Sequence, residues 1–331
     1  MKTLNFQSCL RKQMQDFVNL RRLAGTDYQG QIMLLEYFDN FLLREGFQSL
    51  HLTPNIVQRY FSNNSHLHPR TLYNHFSLIR QFCHYLYQFD PLCYIPEPMK
   101  PVQSTSSRVP YIYTKIQVQD ILDAAIKLSP KESLRPHTYY TLFGLLYTTG
   151  LRIGEALALN IDDFYQDSKL LYINEGKFHK ARWVPVASST HMKLKKYIDK
   201  RQQIRLKTAD SALFISLNYT RLHYNTAHDT LRTLLKQCEI HTSKEPGPRL
   251  HDFRHTFAVH RVLGWYRNGQ DVNSLLPALA TYMGHVNISS TQVYLQATAE
   301  LLEEGSRRFL AYFRKNIKNK GGIYEECTSS C

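Results

Sequence analysis

The stretch IPEPMKPVQSTSSRVPYIYT, beginning at Ile95, sets Pro96, Pro98, Pro101 and Pro110 around a Ser/Thr cluster. Proline withholds a backbone donor and disfavours helix in the residue before it, so no continuous helix or central strand crosses this region. It reads as a linker, and the parts on either side must each bury a core of their own. The predicted organisation is a helical domain over residues 1–102, a linker over 103–112 and a second domain over 113–331. A chain of 331 residues is long enough for two domains, and 43% hydrophobic residues are enough to pack them.

Before the linker, the pattern is helical. MLLEYFDNFLLREGF sets Leu34, Leu35, Phe38, Phe41 and Leu42 on one side at helical spacing. Thr53-Pro54 makes a cap and first-turn pair. HPRTLYNHFSLIRQFCHYLYQF carries Leu72, Phe76, Ile79, Phe82 and Tyr85 as its apolar stripe, with Arg70 and Arg80 between. After the linker, TKIQVQDILDAAIKL is an amphipathic helix. HTYYTLFGLLYTTGLRIGEALALNIDDF reads as a buried helix, a Thr-Thr-Gly turn and a second helix from Leu151. KLLYINEGKFHKARWVPVA has β-rich flanks around a polar centre, which predicts a hairpin with Lys177 and Lys180 at its tip. Helices dominate the remainder, ending in a basic amphipathic segment, ELLEEGSRRFLAYFRKNIKNK.

Charge narrows the partner. Forty-one Lys and Arg against twenty-seven Asp and Glu give a formal +14, which favours a polyanion, nucleic acid before membrane. The six cysteines are scattered without a C-x-x-C pair, so no zinc ribbon or dithiol motif is written here. The N-terminus does not resemble a signal peptide and no apolar run reaches spanning length, so the expectation is a cytoplasmic, nucleoid-associated protein.

Breaking and rejoining a DNA phosphodiester without metal requires cationic donors on the non-bridging oxygens, an in-line nucleophile and a proton source for the leaving oxygen. Arginine suits the first task, with a flat multi-donor fork that stays protonated. Arg152 follows the Thr-Thr-Gly turn, where helix N-terminal N–H groups would also favour an anion, and Glu155 lies three positions on, placed to orient it. In LHDFRHTFAVH, His251 and Arg254 are likewise three apart and can address one point, while Phe253 and Phe257 anchor the helix elsewhere. Gly284-His285 follows an apolar helix end, and Tyr294 lies nine residues after His285. Each pair taken alone is ordinary. A phenol with pKa near 10 needs cationic neighbours before it can attack anything.

Together and in this order, the boxes TTGLRIGEALALNIDDF, EGKFHKARWVPV, LHDFRHTFAVH and MGHVNISSTQVYLQ resemble the signature of the tyrosine recombinase, or phage-type integrase, family. The resemblance covers essentially the whole second half; the first half looks like that family's helical DNA-clamp domain. It implies a mainly α fold with a small β-hairpin or sheet (α+β), a SAM-like N-terminal helical domain and a recombinase catalytic domain. It implies Tyr294 as the nucleophile that forms a 3′-phosphotyrosyl link, Arg152 and Arg254 as phosphate clamps, and Lys177, or alternatively Lys180, as the general acid. His251 would assist proton transfer, His285 would hydrogen-bond the phosphate and Glu155 would support the arginines; His255 and His260 would hold the helix. No cofactor and no metal are implied. The partner is duplex DNA bearing specific sites, bound by a homotetramer in the synapse, with accessory recombinases possible. The long segment RVLGWYRNGQDVNSLLPALATY and the sequence around Tyr294 look closer to recombinases of mobile elements. A non-catalytic DNA-binding protein, a telomere resolvase, or a metal-dependent nuclease using His251, Asp252 and His285 are the competing readings.

Overall fold

The computed structural model describes residues 4–25, 28–100, 110–174, 181–203, 211–240, 247–284, 303–308 and 310. The chain divides into two compact units, residues 1–108 and 109–331. The centre of the linker lies outside the described residues, as do the hairpin tip with Lys177 and Lys180, the segment with His285 and Tyr294, and most of the basic C-terminal stretch.

The first unit is helical: α1 (Arg11–Leu23), α2 (Gln29–Arg44), α3 (Pro54–Asn63) and α4 (Pro69–Tyr87). Leu35, Phe38, Phe41 and Leu42 are buried as the spacing of α2 predicts, and Ile32 joins them, whereas Leu34 is only partly covered. Phe17 meets Phe82 edge-on at 5.5 Å, and Tyr60 meets Phe38 at 4.9 Å and Phe41 at 5.2 Å. These offset geometries suit the aromatic quadrupole and fill the core with few side chains. The Thr53 hydroxyl accepts from the Ile56 N–H and Pro54 opens α3, as the sequence predicts. Asp39 is buried on α2, where it accepts the N–H groups of Gln7 (2.7 Å) and Ser8 (3.0 Å). A buried carboxylate is tolerated here because backbone donors satisfy it.

The second unit starts within the predicted linker: Tyr111 and Ile112 already pack on its core. It continues with α5 (Lys115–Ala125), opened by a Thr114/Gln117 capping box, and α6 (Arg135–Thr149). Helix α6 is buried on most sides, by Tyr139, Leu142, Phe143, Leu145 and Leu146. Thr138 and Thr149 enter the core with their hydroxyls bonded back one turn, Thr138 to the Leu134 carbonyl at 3.1 Å and Thr149 to the Leu145 carbonyl at 2.6 Å. Then come α7 (Ile153–Ala158), a 3-10 turn (Ile161–Asp163), and strands β1 (Phe164–Tyr165), β2 (Leu170–Ile173) and β3 (Arg182–Pro185). The strands form an antiparallel sheet in the order β1-β2-β3, with Leu170 opposite Pro185 and Ile173 opposite Arg182. Helices α8 (Ser188–Gln203), α9 (Tyr224–Gln237), α10 (Asp252–Arg267) and α11 (Val272–Met283) follow, and residues 303–308 are helical. The fold is mainly helical with a small antiparallel sheet. Among the described residues, no helix is long and apolar enough to cross a membrane.

The sheet and α7 refine the sequence reading further. The hairpin flanks pair as predicted, with β1 added at one edge. The helix predicted from Leu151 is a six-residue helix, because Arg152 is extended (φ −67°, ψ 143°) and Leu159 is extended at the other end. Arg221 closes that far end, donating to the carbonyls of Leu157, Ala158 and Leu159 at 2.9, 2.9 and 3.1 Å. So short a helix offers little dipole to an anion. The Arg152 N–H is moreover spent on Glu155 Oε2, at 3.0 Å. The electropositive character of this corner comes from side chains.

Candidate active site

The end of α11 organises the described part of the site. A helix leaves its last carbonyls without intrahelical donors, and those carbonyls carry the negative end of its dipole. Gly284, left-handed at φ 66°, turns the chain out of α11 and returns its N–H to Thr281 O. The next three carbonyls each take a guanidinium from a different part of the chain. Arg182 Nε donates to Tyr282 O at 3.1 Å, Arg254 Nη2 to Met283 O at 2.6 Å and Arg152 Nη2 to Gly284 O at 3.1 Å. Segments 152, 182 and 254 thus meet at one helix end, immediately before His285.

Arg254 lies on the first turn of α10 and is 1% exposed. Its second terminal nitrogen donates to Gly150 O at 2.7 Å, so the guanidinium links the end of α6 to the end of α11. Burying an arginine demands such acceptors, since an unsatisfied buried cation costs several kcal/mol. Phe253, one residue earlier, points the other way and stacks on Tyr113 (4.8 Å) and Phe143 (5.7 Å). Phe257, one turn on, packs over Gly150 and stacks on Tyr282 at 5.7 Å. The phenylalanines anchor α10, as expected: Phe253 holds the face turned away from Arg254, and Phe257 packs beside Arg254 against Gly150 and the end of α11.

Glu155 is the shared anion. Its side chain is 4% exposed; Oε1 accepts from Arg152 Nη1 at 2.7 Å and from Arg182 Nη1 at 3.1 Å, and Oε2 accepts from Arg182 Nη2 at 2.8 Å. Burial works to raise the carboxyl pKa, but the Arg182 hydrogen bonds and charge, with the Arg152 bonds, outweigh it and hold it below its ordinary value. A depressed carboxyl contributes stability that is present above the unfolded pKa, near 4.5, and is lost as pH falls through the folded value. Glu155 therefore orients Arg152, as the three-residue spacing predicts, and orients Arg182 as well.

His251 is the cap position of α10 and opens to solvent. Desolvation, then the positive charge of Arg254, with lesser contributions from Arg249 and Arg152, lowers its pKa against the opposing pull of Asp252. The imidazole is thereby neutral at neutral pH and able to accept a proton. Its stabilising contribution is complete above the unfolded pKa of 6.5 and is lost as pH falls through the lower folded value. In a histidine-resolved NMR titration, His251 is expected to show a midpoint below 6.5. Arg249→Ala should move it part of the way back up, the desolvation remaining; a midpoint at or above 6.5 in the parent chain would contradict this electrostatic picture.

The other charges of LHDFRHTFAVH have local roles. Buried Asp252 accepts from the Arg249 N–H at 2.8 Å and from Arg249 Nη2 at 3.3 Å. His260 Nδ1 pairs with Tyr147 Oη at 3.1 Å and binds α10 to α6, and His255 meets His251 edge-on at 4.9 Å. Among the described residues, no group of three His, Cys, Asp or Glu is placed to hold a metal.

Of the predicted site residues, Arg152, Glu155, His251 and Arg254 are described and lie around this one corner. Lys177, Lys180, His285 and Tyr294 fall outside the described residues. Sequence reasoning missed Arg182 and Arg249. Arg182 was detectable: side chains two apart on a strand share a face, and Val184 on β3 is fully buried, so Arg182 had to point inward and find an acid.

Residues 112–300, more than half of the chain, match the Phage integrase family. A Sinorhizobium fredii protein named "Putative integrase/recombinase y4rB" is 35% identical over 307 residues, which cover 91% of this chain and 97% of that one. Tyrosine recombinase XerD of Oceanobacillus iheyensis is 30% identical over 241 residues, 71% of this chain and 73% of its own. Among solved structures, the Tn1549 transposon integrase in complex with transposon right end DNA aligns over 91% of this chain and 99% of its own, with TM-score 0.62 and 16% identity, a likeness of fold. With the fold, the arginine corner and these relatives in agreement, the chain belongs to the phage integrase family and carries the catalytic domain of a tyrosine-type site-specific DNA recombinase.

Proposed function

We propose that this recombinase moves a mobile element into or out of DNA, with Tyr294 as its nucleophile and Arg152 and Arg254 as its phosphate clamps. The observation that carries the site assignment is the convergence of Arg152 and Arg254 on the adjacent carbonyls of Gly284 and Met283. Two cations from segments 102 residues apart in sequence are brought to the point where the chain continues into His285 and, nine residues later, Tyr294. The mobile-element role is supported by the near full-length similarity to the Sinorhizobium protein and by the shared fold with a transposon integrase.

In this reading the Tyr294 oxygen bonds to phosphorus as the bond from phosphorus to the 5′-oxygen breaks. Neutral His251 takes the phenol proton, and Lys177, or Lys180 in its place, supplies one to the departing oxygen. His285 hydrogen-bonds the phosphate, and the arginines meet the charge that grows on the non-bridging oxygens. The reverse step, with a 5′-hydroxyl from a second duplex, joins the strands. Bond energy stays in the phosphotyrosyl link, so rejoining needs no nucleotide cofactor. A tetramer on two synapsed sites would carry out the exchange.

The test is covalent capture. The purified chain is incubated in EDTA with a nicked random-sequence duplex pool, SDS-resistant adducts are isolated, and the linked peptide and DNA are identified. The expected linkage is Tyr294 to a 3′-phosphate, at a sequence shared among captured duplexes. Linkage at another tyrosine refutes the assignment, and binding without adduct points to a non-catalytic DNA-binding protein. Captured ends that close into hairpins rather than exchange partners point to telomere resolution. Arg152→Ala is expected to lower the cleavage rate by about 10²-fold, the usual effect of losing one charge-stabilising donor, and to weaken binding far less. Gel-shift and single-turnover cleavage on a captured duplex measure the two effects separately.

A further inference from the structure

Arg182 is an arginine of this corner to which the boxes assign no role, and it alone of the two missed arginines bonds Glu155. It begins β3, yet its guanidinium leaves the sheet and is spent entirely within the site: two nitrogens on Glu155, at 3.1 and 2.8 Å, and Nε on Tyr282 O, at 3.1 Å. Its side chain is 13% exposed, against 22% for Arg152. It also lies flat on Gly284: a Cβ added there would come within 3.0 Å of Arg182 Cζ. Arg182 therefore touches both groups that hold Arg152, the Glu155 carboxylate and the Gly284 segment.

The arithmetic of charge gives this contact its purpose. Glu155 carries one negative charge and holds two guanidiniums. Paired with Arg152 alone, a buried carboxylate would take both of its terminal nitrogens in the bidentate geometry that arginine and carboxylate favour. Arg152 would then be neutralised and turned away from Gly284. Arg182 takes Oε2 beside the Arg152 N–H and shares Oε1, leaving the Arg152 guanidinium a single bond to the carboxylate and its other terminal nitrogen at Gly284 O.

We propose that Arg182 is a positioning residue for the cleavage step: it occupies Glu155 and braces the end of α11, so that Arg152 keeps its charge and orientation for the scissile phosphate. The proposal rests on the reading of Arg152 as a phosphate clamp and predicts that loss of Arg182 mimics loss of Arg152 without removing it.

The discriminating probe is a captured duplex in which one non-bridging oxygen of the scissile phosphate is replaced by methyl. That phosphorus centre is uncharged, so the need for a neutralising cation falls. Arg182→Gln, Arg182→Lys and Arg152→Ala are compared with the parent chain for thermal unfolding, binding and cleavage of both duplexes. Arg182→Lys retains the charge but not the planar fork, and carries the comparison if Arg182→Gln fails to fold.

The expected result is binding within a few-fold of the parent, cleavage of the ordinary duplex reduced by about the same 10²-fold as in Arg152→Ala, and a deficit that narrows at least tenfold on the methylphosphonate for Arg152→Ala and the Arg182 variants alike. Parent-like cleavage by the Arg182 variants would overturn the proposal. So would a deficit that persists on the methylphosphonate while that of Arg152→Ala narrows, since this would leave Arg182 a structural residue only. If Arg152→Ala itself is not relieved, the clamp reading of Arg152 fails, and the role of Arg182 fails with it.

Discussion

Tyr294→Phe is expected to bind DNA like the parent chain and to form no SDS-resistant adduct. The substitution deletes one oxygen and keeps the ring, so packing and binding are spared while the nucleophile is gone. Loss of a covalent nucleophile in a hydrolase of comparable logic costs on the order of 10⁶-fold, which would put an adduct below detection. The chain has 22 tyrosines, which makes the choice of control important. Tyr282 is the informative one, since its own carbonyl holds Arg182. Its phenol is pushed up to about 12 by burial, against smaller opposing contributions from Arg261 and Arg182; it donates to Pro185 O at 3.3 Å and its ring stacks on Phe257. A phenol raised and engaged in this way is a poor nucleophile, so Tyr282→Phe should still form adduct. Adduct lost with Tyr282→Phe and retained with Tyr294→Phe would reverse the assignment.

Gly150→Val is expected to destabilise the second unit by about 2–5 kcal/mol, the sum of overpacking and a left-handed backbone. Gly150 ends α6 at φ 63°, and a Cβ there would lie 2.3 Å from Cδ1 of Phe257 and 2.9 Å from Cγ. Phe257 cannot retreat cheaply, because it is 5% exposed and stacked on Tyr282. Gly150→Ala already meets both penalties; valine adds branching that its φ disfavours. The Gly150 carbonyl also holds Arg254, so surviving protein should cleave poorly. Urea unfolding followed by near-ultraviolet circular dichroism gives the stability change. A loss under about 1 kcal/mol would mean that the ring moves aside freely, contrary to a closely packed interior.

Much of this architecture was legible because it depends on local rules. The stripe on α2 fixed Leu35, Phe38, Phe41 and Leu42, and the β-rich flanks around Lys177 and Lys180 fixed the pairing of β2 with β3. The three-residue spacing of Arg152 and Glu155 was read correctly as a contact. The errors came where tertiary contacts override such rules. Leu34 lies on the predicted stripe, yet the neighbouring helices leave it partly covered. The helix expected from Leu151 begins at Ile153 instead, because Arg152 is held extended by the contacts of its own guanidinium and N–H. The carbonyls of residues 282–284 were invisible in principle, since a main-chain acceptor leaves no mark on side-chain identity. Arg182 was missed by following boxes rather than strand alternation.

Because those three acceptors belong to the main chain, most substitutions at positions 282 and 283 leave the oxygen that receives each arginine in place. The corner is in this respect buffered against drift: variation can accumulate on the helix that supports it while the chemistry of its seat stays the same. The exception is Gly284, where any side chain would strain the left-handed turn and press on the Arg182 guanidinium at about 3.0 Å, which its bonds to Glu155 and Tyr282 O hold in place. Within that short run, substitutions at buried Met283 should act through packing and stability, whereas those at Gly284 should disturb the seat of the arginines itself, two effects that saturation mutagenesis scored for both stability and recombination would separate.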